Sequence, residues 1–134
     1  MKKSEVIPKV LFTRLLWVPL LGALPFLFVW PALGLRLVAS ASLLPLTFAV
    51  HEFLHVVLLP DDGFSFREGR FFEITVEKEV SPGMVFLSAI LPAEVLGSIG
   101  LLVVCYDSLI AFPFLLHLIA LPEDVAGVGG MRIE

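Results

Sequence analysis

Residues 15–35, between Arg14 and Arg36, carry no charged side chain. That run has about the 20 residues a helix needs to cross a bilayer's hydrocarbon core. Three further stretches repeat the pattern. Residues 37–60 are interrupted only by His51, Glu52 and His55, residues 84–106 only by Glu94, and residues 108–130 only by His117, Glu123 and Asp124. A chain of 134 residues with 58% hydrophobic and 16% charged side chains departs from the roughly 45–50% and about 25% of soluble domains. Such a chain is too apolar for one small water-facing core, and its net charge of -4 is too small for a solvated coil.

The expected fold is an all-α integral membrane protein with about four transmembrane helices, forming a single membrane domain over residues 1–134. The spans are expected at 15–35, 37–60, 84–106 and 108–130. Each contains at least one proline, which membrane helices tolerate because neighbouring groups re-satisfy the freed carbonyls. Gly22, Gly97 and Gly100 are the small residues expected to let helices approach.

Loop charge sets an orientation. Lys2, Lys3, Lys9 and Arg14 precede the first span, Arg67, Arg70 and Lys78 follow the second, and Arg132 follows the fourth. A cytoplasmic N-terminus puts all of these on the cytoplasmic side and leaves only Arg36 outside. The integral protein is therefore expected in the cell membrane. A cleaved signal peptide ending at Ala39-Ser40-Ala41 is the competing reading, but the run is longer than a signal core and Arg36 interrupts it. One cysteine, Cys105, excludes an intrachain disulfide and reads as a small apolar residue. Without a basic stripe, a nucleic-acid partner is not expected.

The polar segment 61–83 separates the second and third spans. Residues 64–66 and 72–77 alternate apolar and polar, and Arg67-Glu68-Gly69-Arg70 suits a tight turn, so a short cytoplasmic β-hairpin is predicted. It serves as a solvated connector or as a substrate contact.

His51-Glu52-Phe53-Leu54-His55 is an HExxH sequence within a predicted helix. Spacing i, i+4 puts both imidazoles on one face, a turn apart, where they can share one zinc ion. Glu52 lies beside that face, placed to take a proton from an attacking water. Ionisable groups within a span cost about 2.5–3.5 kcal/mol each, and those retained are usually functional. The bland alternative is a His/Glu cluster at a wet helix end.

A catalytic zinc keeps three protein ligands and an open position, so a third ligand is needed. At about 1.5 Å per residue, the two histidines lie roughly 7–13 Å from the cytoplasmic end of their span, Asp124 about 12 Å and Glu94 about 15 Å. Glu123 lies at a similar depth but points about 100° away from Asp124. Asp124, Glu94 and Glu123 all remain open as the third ligand. His117, two turns before Asp124, is expected to pack against a neighbour.

These residues carry a resemblance. An HExxH in one membrane helix, a polar hairpin after it, an apolar helix with a proline at Leu91-Pro92-Ala93, and a last helix with Glu123-Asp124-Val125 resemble the small membrane zincin-peptidase family. That family is related to the site-2 protease clan of intramembrane zinc metalloproteases. The resemblance covers residues 46–130 and implies His51, His55 and Asp124 as zinc ligands and Glu52 as catalytic base. The chain departs from the clan after Asp124, where Val125 replaces the glycine of the usual Leu-Asp-Gly or Asn-Pro-x-Asp-Gly. The expected activity is hydrolysis of a peptide bond in or near the bilayer of a membrane protein or peptide substrate. The rival expectations are a catalytically inactive metal-binding membrane protein and a structural or partner-binding one.

Overall fold

Prolines, rather than charges, decide where the first apolar run breaks. The protein is described by a computed structural model covering residues 2–61, 64–68, 72–76 and 80–130. After a 3-10 turn at Lys3–Glu5, α1 (Val6–Leu11) stops at Phe12, and Arg14–Val29 leaves at 53° to Lys3–Leu11. The Trp17 indole N–H donates to the Leu11 carbonyl at 2.7 Å across the bend. Within Arg14–Val29 a 3-10 turn leads into α2 (Val18–Ala23), with Pro19 in its first turn. Pro25 caps α3 (Phe26–Val29). Trp30 is extended, with φ -145° and ψ 83°, as expected of a residue forced out of the helical region by a following proline. Pro31 then opens α4 (Pro31–Val57), a position where its missing N–H costs nothing.

Two expectations are thereby corrected. Residues 15–35 form short helical pieces rather than one straight span, and Arg36 lies in the second turn of α4 rather than between two spans. Gly34 makes the reversal from α3 to α4 possible, since a Cβ there would fall within 3 Å of the Phe26 and Leu27 backbone.

Beyond α4 come β1 (Phe64–Glu68) and β2 (Phe72–Val76), then α5 (Pro82–Val103) and α6 (Ser108–Gly130). The strands form an antiparallel hairpin with Phe66 opposite Ile74 and Glu68 opposite Phe72. Of the expected turn, Arg67 and Glu68 are strand residues, and Gly69 and Arg70 lie outside the described residues. Ser81 starts α5 by accepting the Met84 N–H, with Pro82 next. Gly97 and Gly100 of α5 lie where Leu118 and Leu115 of α6 press against them; Gly22 faces open space and permits no such approach.

Among the described residues three helices, α4, α5 and α6, are long and apolar enough to cross a membrane, and a fourth crossing exists only if the bent Lys3–Val29 segment counts as one. Phe28 of α3, Leu102 of α5 and Ile119 of α6 are largely bare. The buried apolar cluster lies at one end of the bundle, where Val6 and Val10 of α1 meet Ala49 and Val56 of α4 and Phe64 and Phe66 of β1. There Lys3 Nζ donates to the Val57 carbonyl at the end of α4 (3.0 Å) and pairs with Asp61 at 3.3 Å. The N-terminus, the hairpin and the last turn of α4 therefore share one end of the molecule.

Candidate metal centre

At that end α4 presents His51 and His55 one turn apart, and their Nε2 atoms approach to 3.0 Å. Asp124 comes from α6, which returns to the hairpin end. Its Oδ2 lies 3.6 Å from His51 Nε2 and 3.7 Å from His55 Nε2. All three ligand atoms lie within 4.8 Å of one another, and the group could hold a metal ion. For metal bonds of about 2.0–2.1 Å, the edge of a tetrahedron is about 3.3 Å, a value that the three separations bracket.

Burial makes the donor set informative. His51 is 4% exposed and Glu52 8%. The Asp124 Oδ2 and His51 Nδ1 atoms are buried without a hydrogen-bond partner. Buried polar atoms are normally paired, and each exception calls for a cause. A cation between the two imidazoles and the carboxylate supplies one for Asp124.

The two histidines are oriented by different means. His55 Nδ1 donates to the Ser88 carbonyl of α5 at 2.8 Å. A carbonyl can only accept, so the lone pair of the neutral ring resides on Nε2. His51 is instead held by stacking. The His117 ring lies against it with centroids 4.6 Å apart and 25° between planes, while His55 meets it edge-on at 86°. Phe48 in turn packs edge-on against His117. His117, 1% exposed with Nε2 unpaired, is thus a wall of the site on which His51 rests.

Two cavities flank the group. One, of about 330 Å³, runs between β2 and the histidine face and is lined by Glu52, His55, Phe72, Glu73, Ser88 and Asp124. The other, of about 390 Å³, lies between α4 and α6 and touches Phe48, His51, Glu52, Leu116 and Asp124. Glu52 borders both. Glu123 lines them as well but is exposed and is not among the converging ligand atoms. Glu94 is exposed on α5 and stands apart from the group. Of the three acids left open by depth along the helix, the structure brings only Asp124 to both histidines.

Sequence reasoning overlooked Ser88, for which a proline four residues later was the available signal. The packing of His117 against a neighbour was expected, and that neighbour is His51. The chain matches no protein-family model, no curated protein and no solved structure.

Proposed function

We propose that the protein is a membrane-embedded zinc metallopeptidase that hydrolyses peptide bonds in or near the bilayer. The observation that carries this reading is the convergence of His51 Nε2, His55 Nε2 and Asp124 Oδ2 beside a buried Glu52. Three ligands rather than four leave a position open, as catalytic rather than structural zinc requires. When bound, the ion supplies Lewis acidity that polarises the scissile carbonyl and acidifies a water.

The chain's own residues do the rest. Glu52, bordering both cavities, accepts the proton of the attacking water as its oxygen bonds to the carbonyl carbon. It then delivers that proton to the leaving nitrogen as the C–N bond breaks. His55, tied to Ser88, and His51, stacked on His117, keep their lone pairs aimed at one point. Among the described residues β2 pairs only with β1, in a two-stranded sheet, and Phe72, Glu73, Ile74 and Val76 line the cavity that reaches Glu52. An extended substrate added along β2 would bring its backbone past the ligands, exposing a bond that a substrate helix would bury.

The cell membrane and a cytoplasmic N-terminus are supported by the one-sided distribution of Lys and Arg. Cys105, the single cysteine, is exposed near the opposite end of the bundle. An impermeant maleimide should label it in intact cells; labelling only after permeabilisation overturns the orientation.

The decisive experiment compares membranes containing wild-type or Glu52→Gln protein, by metal analysis of the purified chain and by identification of new protein N-termini. The proposal expects about one equivalent of zinc in both proteins, and cleavage products in the wild type alone. Zinc below about a tenth of an equivalent in the wild type defeats the metal centre. Equal zinc with identical N-termini in both membranes defeats the peptidase and leaves a metal-binding protein.

A further inference from the structure

Four prolines lie inside the three long helices, at positions 45, 92, 113 and 122. Each lacks the N–H that would bond the carbonyl four residues earlier. For Pro92 that carbonyl belongs to Ser88, and it is the oxygen 2.8 Å from His55 Nδ1. Pro92 is fully enclosed and Ser88 is 6% exposed, so the N–H that a regular helix offers this oxygen is missing and bulk water has little access to it. The same ring turns its Nε2 toward His51 and Asp124. The missing hydrogen bond in α5 and the oriented ligand on α4 are thus two sides of one contact.

We propose that Pro92 is a positioning residue of the metal centre. By withholding an N–H from Ser88, it reserves that carbonyl for His55 and so fixes both the tautomer and the rotation of the ring. This rests on the reading of the cluster as a metal site and identifies the residue that prepares it. Ligating histidines generally donate their other N–H to a carbonyl or carboxylate, and loss of that partner typically weakens metal binding about 10- to 100-fold. Here the partner is a main-chain atom that no side-chain substitution removes directly. An N–H restored at position 92 removes it by competition.

Pro45 and Pro113 serve as controls. Both are fully buried, but the carbonyls they free belong to Ala41 and Leu109, which line an apolar cavity of about 520 Å³ that no histidine touches. Substituting either one restores a helical N–H without disturbing the partner of His55.

The test uses full-length protein in detergent micelles with 15N-labelled histidine. NMR of the metal-free wild type should show His55 protonated at Nδ1. A wild-type His55 protonated at Nε2 overturns the proposal, whatever the variants do. In Pro92→Ala the Nδ1-protonated signature should be lost, and zinc affinity, measured by chelator competition, should fall about 10- to 100-fold. Pro113→Ala should leave the His55 signature unchanged and the affinity within about twofold of wild type, well short of that loss. A Pro92→Ala protein that keeps both signature and affinity overturns the proposal. So does an equal loss of affinity in Pro113→Ala, which would point to helix bending in general. If the wild type binds no zinc yet its His55 tautomer depends on Pro92, the positioning stands and the metallopeptidase reading falls.

Discussion

The two ends of the α4, α5 and α6 bundle treat their polar groups in opposite ways. At the far end Arg36 of α4 meets Asp107, between α5 and α6, through two parallel hydrogen bonds of 2.7 and 2.8 Å. Asp107 Oδ1 also accepts the Leu109 and Ile110 N–H groups at the start of α6. Each donor there has an acceptor of matching geometry, and the arrangement completes itself. At the hairpin end two imidazoles and a carboxylate are brought together as closely, yet Asp124 Oδ2 and His51 Nδ1 remain without hydrogen bonds. A self-satisfied cluster holds helices together. A convergent but unsatisfied one invites a ligand.

The sharpest way to break this contrast is to remove donors from the unsatisfied end. His51→Ala and His55→Ala should each reduce zinc in the purified protein below about a tenth of an equivalent. Glu52→Gln should keep the zinc and lower cleavage at least about a hundredfold, the usual scale of general acid-base catalysis. Zinc retained in full by both histidine variants would mean that the cluster is only a packing arrangement like its counterpart.

Next in size is the assignment of the third donor. Asp124→Ala should weaken zinc binding more than the about 10- to 100-fold that follows loss of a ligand's own hydrogen-bond partner. Glu94→Ala should leave it unchanged, since Glu94 is exposed and stands apart from the group. Titration of both variants with a metallochromic competitor decides the matter; the reverse ranking would remove Asp124 from the site.

Much of this end was legible in the sequence because its information is local. HExxH spacing fixes two imidazoles on one helical face whatever surrounds them, and distance along a helix gave Asp124 the right depth. Depth alone could not choose among Asp124, Glu94 and Glu123, because helix rotation is set by packing. Gly97 and Gly100 against Leu118 and Leu115 help to fix how α5 and α6 sit together. The hairpin followed from alternation, with Phe64 and Phe66 buried. The far end was illegible. Charge counting made Arg36 a loop residue, whereas Pro31 restarts the helix five residues earlier and brings Arg36 to a partner 71 residues away. Helix breaks in apolar runs obey backbone geometry, which hydropathy does not record. Contacts across the fold leave no mark on local composition.

Smaller effects belong to the far end, and they sharpen the contrast by being confined to stability. Asp107→Ala removes both the ion pair and the cap of α6. It should lower the melting temperature by a few degrees while leaving zinc content and cleavage intact. Asp107→Asn keeps an acceptor for the Leu109 and Ile110 N–H groups and loses the charge, so it should fall between wild type and Asp107→Ala. A change in zinc content in either variant would show that the ends are coupled rather than separate.

The subtlest prediction concerns acid. The Arg36 hydrogen bond, with smaller help from the Ile110 and Leu109 N–H groups, holds the Asp107 carboxyl well below its ordinary range, at about 2. The unfolded chain therefore takes up this proton more readily than the folded one. The contribution to stability is full above the ordinary aspartate value, declines as pH falls from about 4 toward 2, and is gone below that. Metal binding carries its own pH dependence, because its ligands must lose protons, so the comparison belongs in chelator-treated protein. Melting temperatures of wild type and Asp107→Asn should differ by a constant amount above about pH 5 and converge as pH approaches 2. Because a neutral Asp107 and an asparagine offer Arg36 the same absence of charge, a gap that persists undiminished at pH 2 would mean that something other than this ion pair separates the two proteins.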